Sequence, residues 1–180
     1  MSHASLTGLD SRQPGIATAE LPRFETGQRL LIAGLVERYR SEDWVAGSAA
    51  QWQRFARYFG RIAAQVGHVA YGTLCETDEA GSVDYLCGVE VSDFSSVPRN
   101  FGRLCLPKQR YLVFAHRGHA AGAARLAGWD HRLSALDCEL AAGQPFERYP
   151  RFFDSRSPVH GAELWIPVIG RTAAPHIRPS

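Results

Sequence analysis

The residues best equipped for chemistry lie near the end of the 180-residue sequence, in Gly161-Ala162-Glu163-Leu164-Trp165-Ile166-Pro167-Val168-Ile169. Read as a strand, this stretch has two unlike faces. Ala162, Leu164, Ile166 and Val168 share one face, while Glu163, Trp165 and Pro167 share the other. Two environments fit a carboxylate two residues from an indole. On a solvent face, Glu163 is a solvated edge charge. In a cavity, it is a buried anion beside an aromatic wall, suited to an apolar cation or an activated water. Tyr71 and Tyr111 add strand aromatics with polar tips, with buried packing as their default role. His116 and His119 flank Arg117-Gly118 with no third ligand nearby, so no metal site is expected. Glu147 and Arg148 follow Phe146 and read as a surface ion pair. No G-x-S-x-G occurs, and Ser134, Asp137 and His131 crowd one helix end rather than forming a triad.

The elements that must position these groups follow from periodicity. Residues 1–26 are polar and broken by Pro14 and Pro22, and read as a loose arm that adds an edge contact. Arg29 to Tyr39 is a strongly apolar strand, followed by a loop with Trp44 at its tip. Ser48 is expected to cap a helix through Gln51 to Phe59, with Trp52, Phe55, Ala56 and Phe59 packing on a sheet. Val69 to Glu76 and Asp84 to Val91 form a hairpin around an acidic turn. The pattern then repeats. Leu104 to Arg117 reads as one strand and Gly118 to Leu136 as a soft, Ala- and Gly-rich helix. A strand begins at Cys138 to Leu140, with Phe146 to Tyr149 at or beyond its end, and the 162–169 strand closes the hairpin. Residues 171–180 read as a disordered tail.

Aligning Val91 with Val168 sets Gly88 on Trp165, Leu86 on Glu163 and Glu90 on Pro167. Two such units joined side by side form one curved antiparallel sheet, with two helices on one face and a central ligand cleft at the junction. The fold class is α+β, with pseudo-repeats 27–95 and 101–170 inside one domain, 27–170. Glu163, Trp165 and Gly88 would face that junction, with Glu90 as a second carboxylate.

Composition bounds the function. A net charge of +2 is too small to argue for nucleic-acid binding, and the first 26 residues hold no DNA-reading module. No run of about 18 apolar residues occurs, so no membrane span is expected. Residues 1–13 lack a basic stretch followed by an apolar run, so no secretory signal is expected. Cys75, Cys87, Cys105 and Cys138 are scattered through apolar segments without a C-x-x-C pair. They read as reduced, buried thiols of a cytoplasmic protein, with no cofactor.

Five segments in order then resemble the GyrI-like effector-binding domain: Val69-Ala70-Tyr71-Gly72, Asp84 to Val91, Tyr111 to His119, Phe146-Glu147-Arg148-Tyr149 and Glu163 to Val168. That domain occurs alone or as the C-terminal ligand-sensing half of AraC-type and multidrug-responsive transcription activators. The resemblance covers about residues 27–170. It implies a cleft for bulky, often cationic aromatic compounds, with a last-strand Glu facing it, a position held here by Glu163. Some stand-alone members are similar to hydrolases that open strained genotoxins, and others are linked to inhibition of gyrase. The usual tryptophan-rich second helix is replaced here by Ala121 to Trp129. Three readings follow. The first is a binding module for hydrophobic cations, using Glu163, Trp165, Tyr71, Tyr111, Gly88 and Glu90, with or without a regulator partner. The second is a hydrolase with Glu163 as general base. The third is a protein-interaction domain, with gyrase or a regulator as partner. The binding module, which needs no enzymatic step, is the favoured expectation.

Overall fold

The computed structural model describes residues 21–75, 79–116, 133, 136–150 and 162–170. Their framework is a nine-stranded antiparallel sheet. Strands β1 (Arg23–Gly27), β2 (Leu30–Arg40), β3 (Gln65–Cys75), β4 (Ser82–Val91), β5 (Gly102–Leu106), β6 (Gln109–His116), β7 (Cys138–Leu140), β8 (Phe146–Tyr149) and β9 (Ala162–Gly170) accompany one helix, α1 (Trp44–Phe55). The order across the sheet is β1-β6-β9-β8-β3-β4-β2-β5, and β7 also pairs with β9. The pairing β3·β8 lies at the middle, with Tyr71 opposite Arg148 and Gly72 opposite Glu147. On one side run β4, β2 and the edge strand β5, and on the other β9, β6 and the edge strand β1.

Period-2 alternation sorts the strands onto two faces. On the helix face, Ala33, Ala70, Tyr85, Cys87, Val89 and Tyr149 pack with Trp44, Trp52 and Phe55 of α1. Leu112, Leu164, Ile166 and Val168 extend this face beneath Leu133 and Cys138. On the far face, Ile32, Tyr71, Leu86, Leu106, Tyr111, Val113 and Phe146 form a second cluster, with Trp165 packed against it. Both faces of the central strands are therefore apolar, which is why β4 reads as a nearly continuous hydrophobic run.

Several elements depart from the sequence expectation. Residues 23–27 supply the edge contact expected of the N-terminal arm, but as a regular strand that pairs with β6 from Arg23↔Val113 to Gly27↔Gln109. The helix begins at Trp44 instead of after Ser48. Burying the Trp44 indole against Tyr85, with ring centroids 5.4 Å apart, outweighs the missing cap. Asp43 at the N-cap makes no side-chain capping bond, and the Ser48 hydroxyl donates instead to the Val45 carbonyl. The helix stops at Phe55, and Gly60 turns the chain at φ +76°. The expected strand from Leu104 to Arg117 is two strands, parted at Pro107, which has no N–H to donate. β5 then pairs with β2, while β6 pairs with β1 and β9. Phe146 to Tyr149 is a central strand in its own right, and Glu147 and Arg148 point to opposite faces instead of pairing. The thiols are free, but only Cys87 and Cys138 are buried, while Cys75 is half-buried and Cys105 exposed. The expected helix of residues 118–136 falls, apart from Leu133 and Leu136, outside the described residues, as do His119, His131, Ser134 and the 171–180 tail.

Candidate functional site

Two carboxylates, one on each face of the sheet beside the central pairing, are the best candidates for chemistry. On the far face, β9 directs Glu163 and Trp165 to the same side, and β8 sets Arg148 opposite Glu163 and Phe146 opposite Trp165. The Glu163 side chain is 14% exposed. Its Oε1 receives Arg23 Nη2 at 2.5 Å, and its Oε2 receives Arg148 Nη1 at 3.1 Å and Trp165 Nε1 at 2.9 Å. Burial pulls the Glu163 carboxyl upward, but the hydrogen bonds from Arg23, Trp165 and Arg148 together outweigh it. The net result is a carboxyl held below its ordinary value. Glu163 is therefore an ionised group clamped by two guanidiniums and an indole.

Beside it lies an aromatic floor. Trp165 stacks on Phe146 with centroids 5.5 Å apart and planes at 19°. Tyr111 meets both edge-on, at 5.3 Å from Phe146 and 5.5 Å from Trp165. Tyr71 contacts Phe146 at 5.9 Å. The Tyr111 hydroxyl accepts from Gln109 Nε2 at 3.0 Å, away from Glu163. Tyr71, opposite Arg148 in register, has its hydroxyl pushed up by burial and then by Glu90. Burial likewise raises the Glu90 carboxyl, and Arg148 partly offsets it. Gly88 is opposite both Tyr71 and Gly34. A Cβ on Gly88 would come 2.5 Å from the Ala33 carbonyl oxygen, so this glycine serves the close approach of β2 to β4. The six residues singled out by the sequence thus share the far face. Glu163, Trp165, Tyr111 and Tyr71 are linked through Phe146 and Arg148, while Glu90 and Gly88 lie across the junction on β4.

On the helix face lies a group that sequence reading missed. Glu147 is fully buried at 0% exposure. Its Oε2 accepts from the Tyr149 hydroxyl at 2.8 Å and the Tyr85 hydroxyl at 3.2 Å. Trp52 Nε1 donates to the Tyr85 hydroxyl at 3.2 Å, extending the chain to α1. The Trp52 ring meets Tyr149 edge-on at 5.2 Å. Burial drives the Tyr85 hydroxyl well above its ordinary value, and the charge of Glu147 adds to this. Gly72 makes the space, since a Cβ there would come 2.2 Å from the Tyr85 hydroxyl and 3.2 Å from Glu147 Oε2. A buried carboxylate stabilised by phenol donors sits here within an aromatic shell of Trp52, Tyr85 and Tyr149. The signal available in sequence was the Glu147-x-Tyr149 alternation within a strand flanked by Pro145 and Pro150.

Among the described residues, no group of three metal-ligating side chains occurs, and no helix is long and apolar enough to cross a membrane.

Comparison with known proteins adds to this geometry. The profile of a family described as Cass2, integron-associated effector binding protein, matches residues 29–168. The transcriptional regulator BrlR of Pseudomonas aeruginosa is 34% identical over 121 residues, which cover 65% of this chain and 44% of that protein. The match thus spans less than half of that relative's length. Among solved structures, SAV2435 bound to tetraphenylphosphonium matches with a TM-score of 0.60 and 19% identity, over 83% of this chain and 94% of that one. An integron cassette protein from the mobile metagenome of Vibrio cholerae matches with a TM-score of 0.54 and 15% identity, over 84% and 97%. At these identities the structural likeness speaks for a shared fold.

Proposed function

The chain belongs to the Cass2 family of integron-associated effector-binding proteins, and from that membership we propose that it captures bulky, hydrophobic, cationic aromatic small molecules, for sensing or sequestration. The observation that carries this reading is Glu147, a wholly buried carboxylate within an aromatic shell of Trp52, Tyr85 and Tyr149. Removing a carboxylate from water is costly, and a site that bears that cost commonly uses the charge. Tetraphenylphosphonium, the compound bound to SAV2435, has the matching chemistry of a delocalised cation wrapped in phenyl rings. The likeness to BrlR supports effector sensing alongside a regulator as the biological setting. The two duplicated units, the curvature of the sheet and a second helix over Leu133 belong to the same proposal.

A second reading of the site rests on accessibility. Unlike Glu147, Glu163 reaches solvent, and Trp165 beside it is half-buried. A flat cation could join the Trp165–Phe146 stack there, near Tyr71, Tyr111, Gly88 and Glu90. The hydrolase alternative has less behind it. Three donors stabilise the ionised form of Glu163 and so lower its strength as a general base.

Titration with rhodamine 6G and with tetraphenylphosphonium, followed by Trp quenching and dye anisotropy, tests these readings. Glu147→Gln is expected to weaken both cations by about 1–3 kcal/mol, roughly five- to 150-fold, and to leave a neutral aromatic of similar size nearly unaffected. Loss confined to Glu163→Gln would move the site to the far face. Equal binding by wild type and both variants would remove the carboxylates from the mechanism.

A further inference from the structure

Arg23 and Glu163 are 140 residues apart in sequence, yet their side chains meet at 2.5 Å. The two oxygens of Glu163 differ in what they hold. Oε2 receives Trp165 and Arg148, groups fixed on β9 and β8 in the interior of the sheet. Oε1 receives Arg23, which opens the edge strand β1. Among the described residues that strand has one neighbour, β6. The Arg23 side chain is 44% exposed and lies in register with Val113, on the side of the sheet that carries Tyr111 and Trp165. Arg23 also has a second holder, since its Nε donates to Glu25 Oε1 at 2.9 Å. An arginine that lets go of Glu163 therefore keeps an anionic partner at the surface.

The other end of β1 lies across the aromatic floor. A Cβ on Gly27 would come 2.6 Å from Tyr111 Cε2 and 3.7 Å from Trp165 Cζ3. Only a residue without a side chain lets the strand lie so close to these rings. β1 is thus fastened at one end by a guanidinium on the carboxylate and at the other by backbone resting on the rings.

We propose that β1 is an autoinhibitory strap: Arg23 acts as a tethered surrogate for an external cation at Glu163, and a cationic aromatic ligand that takes Oε1 releases the strap and uncovers Tyr111 and Trp165. The chemistry fits, because the guanidinium is a planar delocalised cation beside an aromatic floor, as the ligand would be. Release of β1 would report occupancy of the far face to whatever lies N-terminal to Arg23. The inference rests on the far face as a cation site.

The test is dye binding by wild type, Arg23→Gln, Glu163→Gln and the double variant, with folding of each checked by circular dichroism. Arg23→Gln is expected to bind rhodamine 6G about five- to tenfold more tightly than wild type, because Oε1 is vacated. Glu163→Gln and the double variant are expected to show no such gain. In parallel, amide hydrogen exchange of residues 23–27 in the wild type should speed up on saturation with the dye. If the wild type binds the dye through Glu163 but Arg23→Gln binds no better and β1 stays protected, the strap is overturned and the far-face site stands. If binding is indifferent to Glu163, the far-face reading fails and the strap fails with it. Should Arg23→Gln fold poorly, the exchange measurement on wild type decides the matter alone.

Discussion

Glu147 and Glu163 stand on neighbouring central strands, Glu147 opposite Leu164 and Glu163 opposite Arg148, yet they look out from opposite faces of one sheet. Their surroundings could hardly differ more. Glu163 is satisfied by two guanidiniums and an indole, reaches solvent, and is held ionised. Glu147 is sealed from water and accepts from phenol hydroxyls. Two carboxylates of the same residue type thus take different roles. A group clamped by its own cations fastens structure and must exchange a partner to bind a ligand. A buried group that accepts from phenol hydroxyls lies in a low-dielectric shell, where attraction between opposite charges is strongest.

The largest expected effect that sharpens this contrast comes from two matched substitutions. Gly72→Ala drives a methyl group to within 2.2 Å of the Tyr85 hydroxyl, at the heart of the Glu147 shell. The hydroxyl cannot retreat without losing its bond to Glu147, so the expected loss is about 2–4 kcal/mol in urea unfolding. Gly27→Ala makes a similar overlap with the Tyr111 ring on the far face. There β1, whose one neighbour among the described residues is β6, can shift, and the expected loss is about 1 kcal/mol. Equal losses would mean that both faces are equally rigid, and the contrast between a sealed shell and a movable strap would collapse.

A smaller effect dissects the shell. Tyr85→Phe keeps the ring against Trp44 but removes one donor to Glu147 and the acceptor of Trp52 Nε1. The expected cost is about 1–2 kcal/mol of stability, with weaker discrimination in favour of cations over neutral ligands. Thermal melts and the dye titration read the two effects separately. A variant as stable and as selective as the wild type would mean that the Tyr85 hydroxyl contributes nothing to holding Glu147.

The far-face geometry was legible in sequence because β9 is long and alternates cleanly, so period 2 puts Glu163 and Trp165 together whatever lies around them. The environment of that face was not legible. The clamp comes from Arg23, 140 residues away, and no local pattern announces an edge strand joining from the far end of the chain. Glu147 was misread for a related reason. In the four residues of β8 the alternation is present, but a short strand between two prolines reads as surface, and Glu147-Arg148 reads as an ion pair. Only the placement of β8 at the middle of the sheet makes both of its faces interior. Trp44 fails alike: Asp43 before it makes no capping bond, and its helical start is bought by tertiary packing on Tyr85. The helix expected over 118–136 lies almost wholly outside the described residues and adds nothing to this account.

The smallest effect is the sign of pH dependence within the far face itself. Glu163 is held below its ordinary value of 4.5: burial pulls it up, and the donors Arg23, Trp165 and Arg148 more than offset that. A carboxyl depressed in the folded state contributes stability that is fully present above its unfolded value and is lost as pH falls through its folded one. Glu90 is raised above 4.5 by burial, with Arg148 opposing. Its contribution has the opposite sign, being present below the unfolded value and lost as pH rises through the folded one. Urea midpoints taken at about pH 7 and about pH 3 should therefore move in opposite directions for the two variants. Relative to wild type, Glu163→Gln should be the weaker protein at pH 7 and converge with it in acid, by about 0.2–1 kcal/mol, because Arg23 is largely solvated. Glu90→Gln should gain at pH 7 and lose that gain in acid. The same sign for both would mean that the Arg23–Glu163–Arg148 clamp does not govern the electrostatics of this face, and Glu163 would then differ from Glu147 in exposure alone.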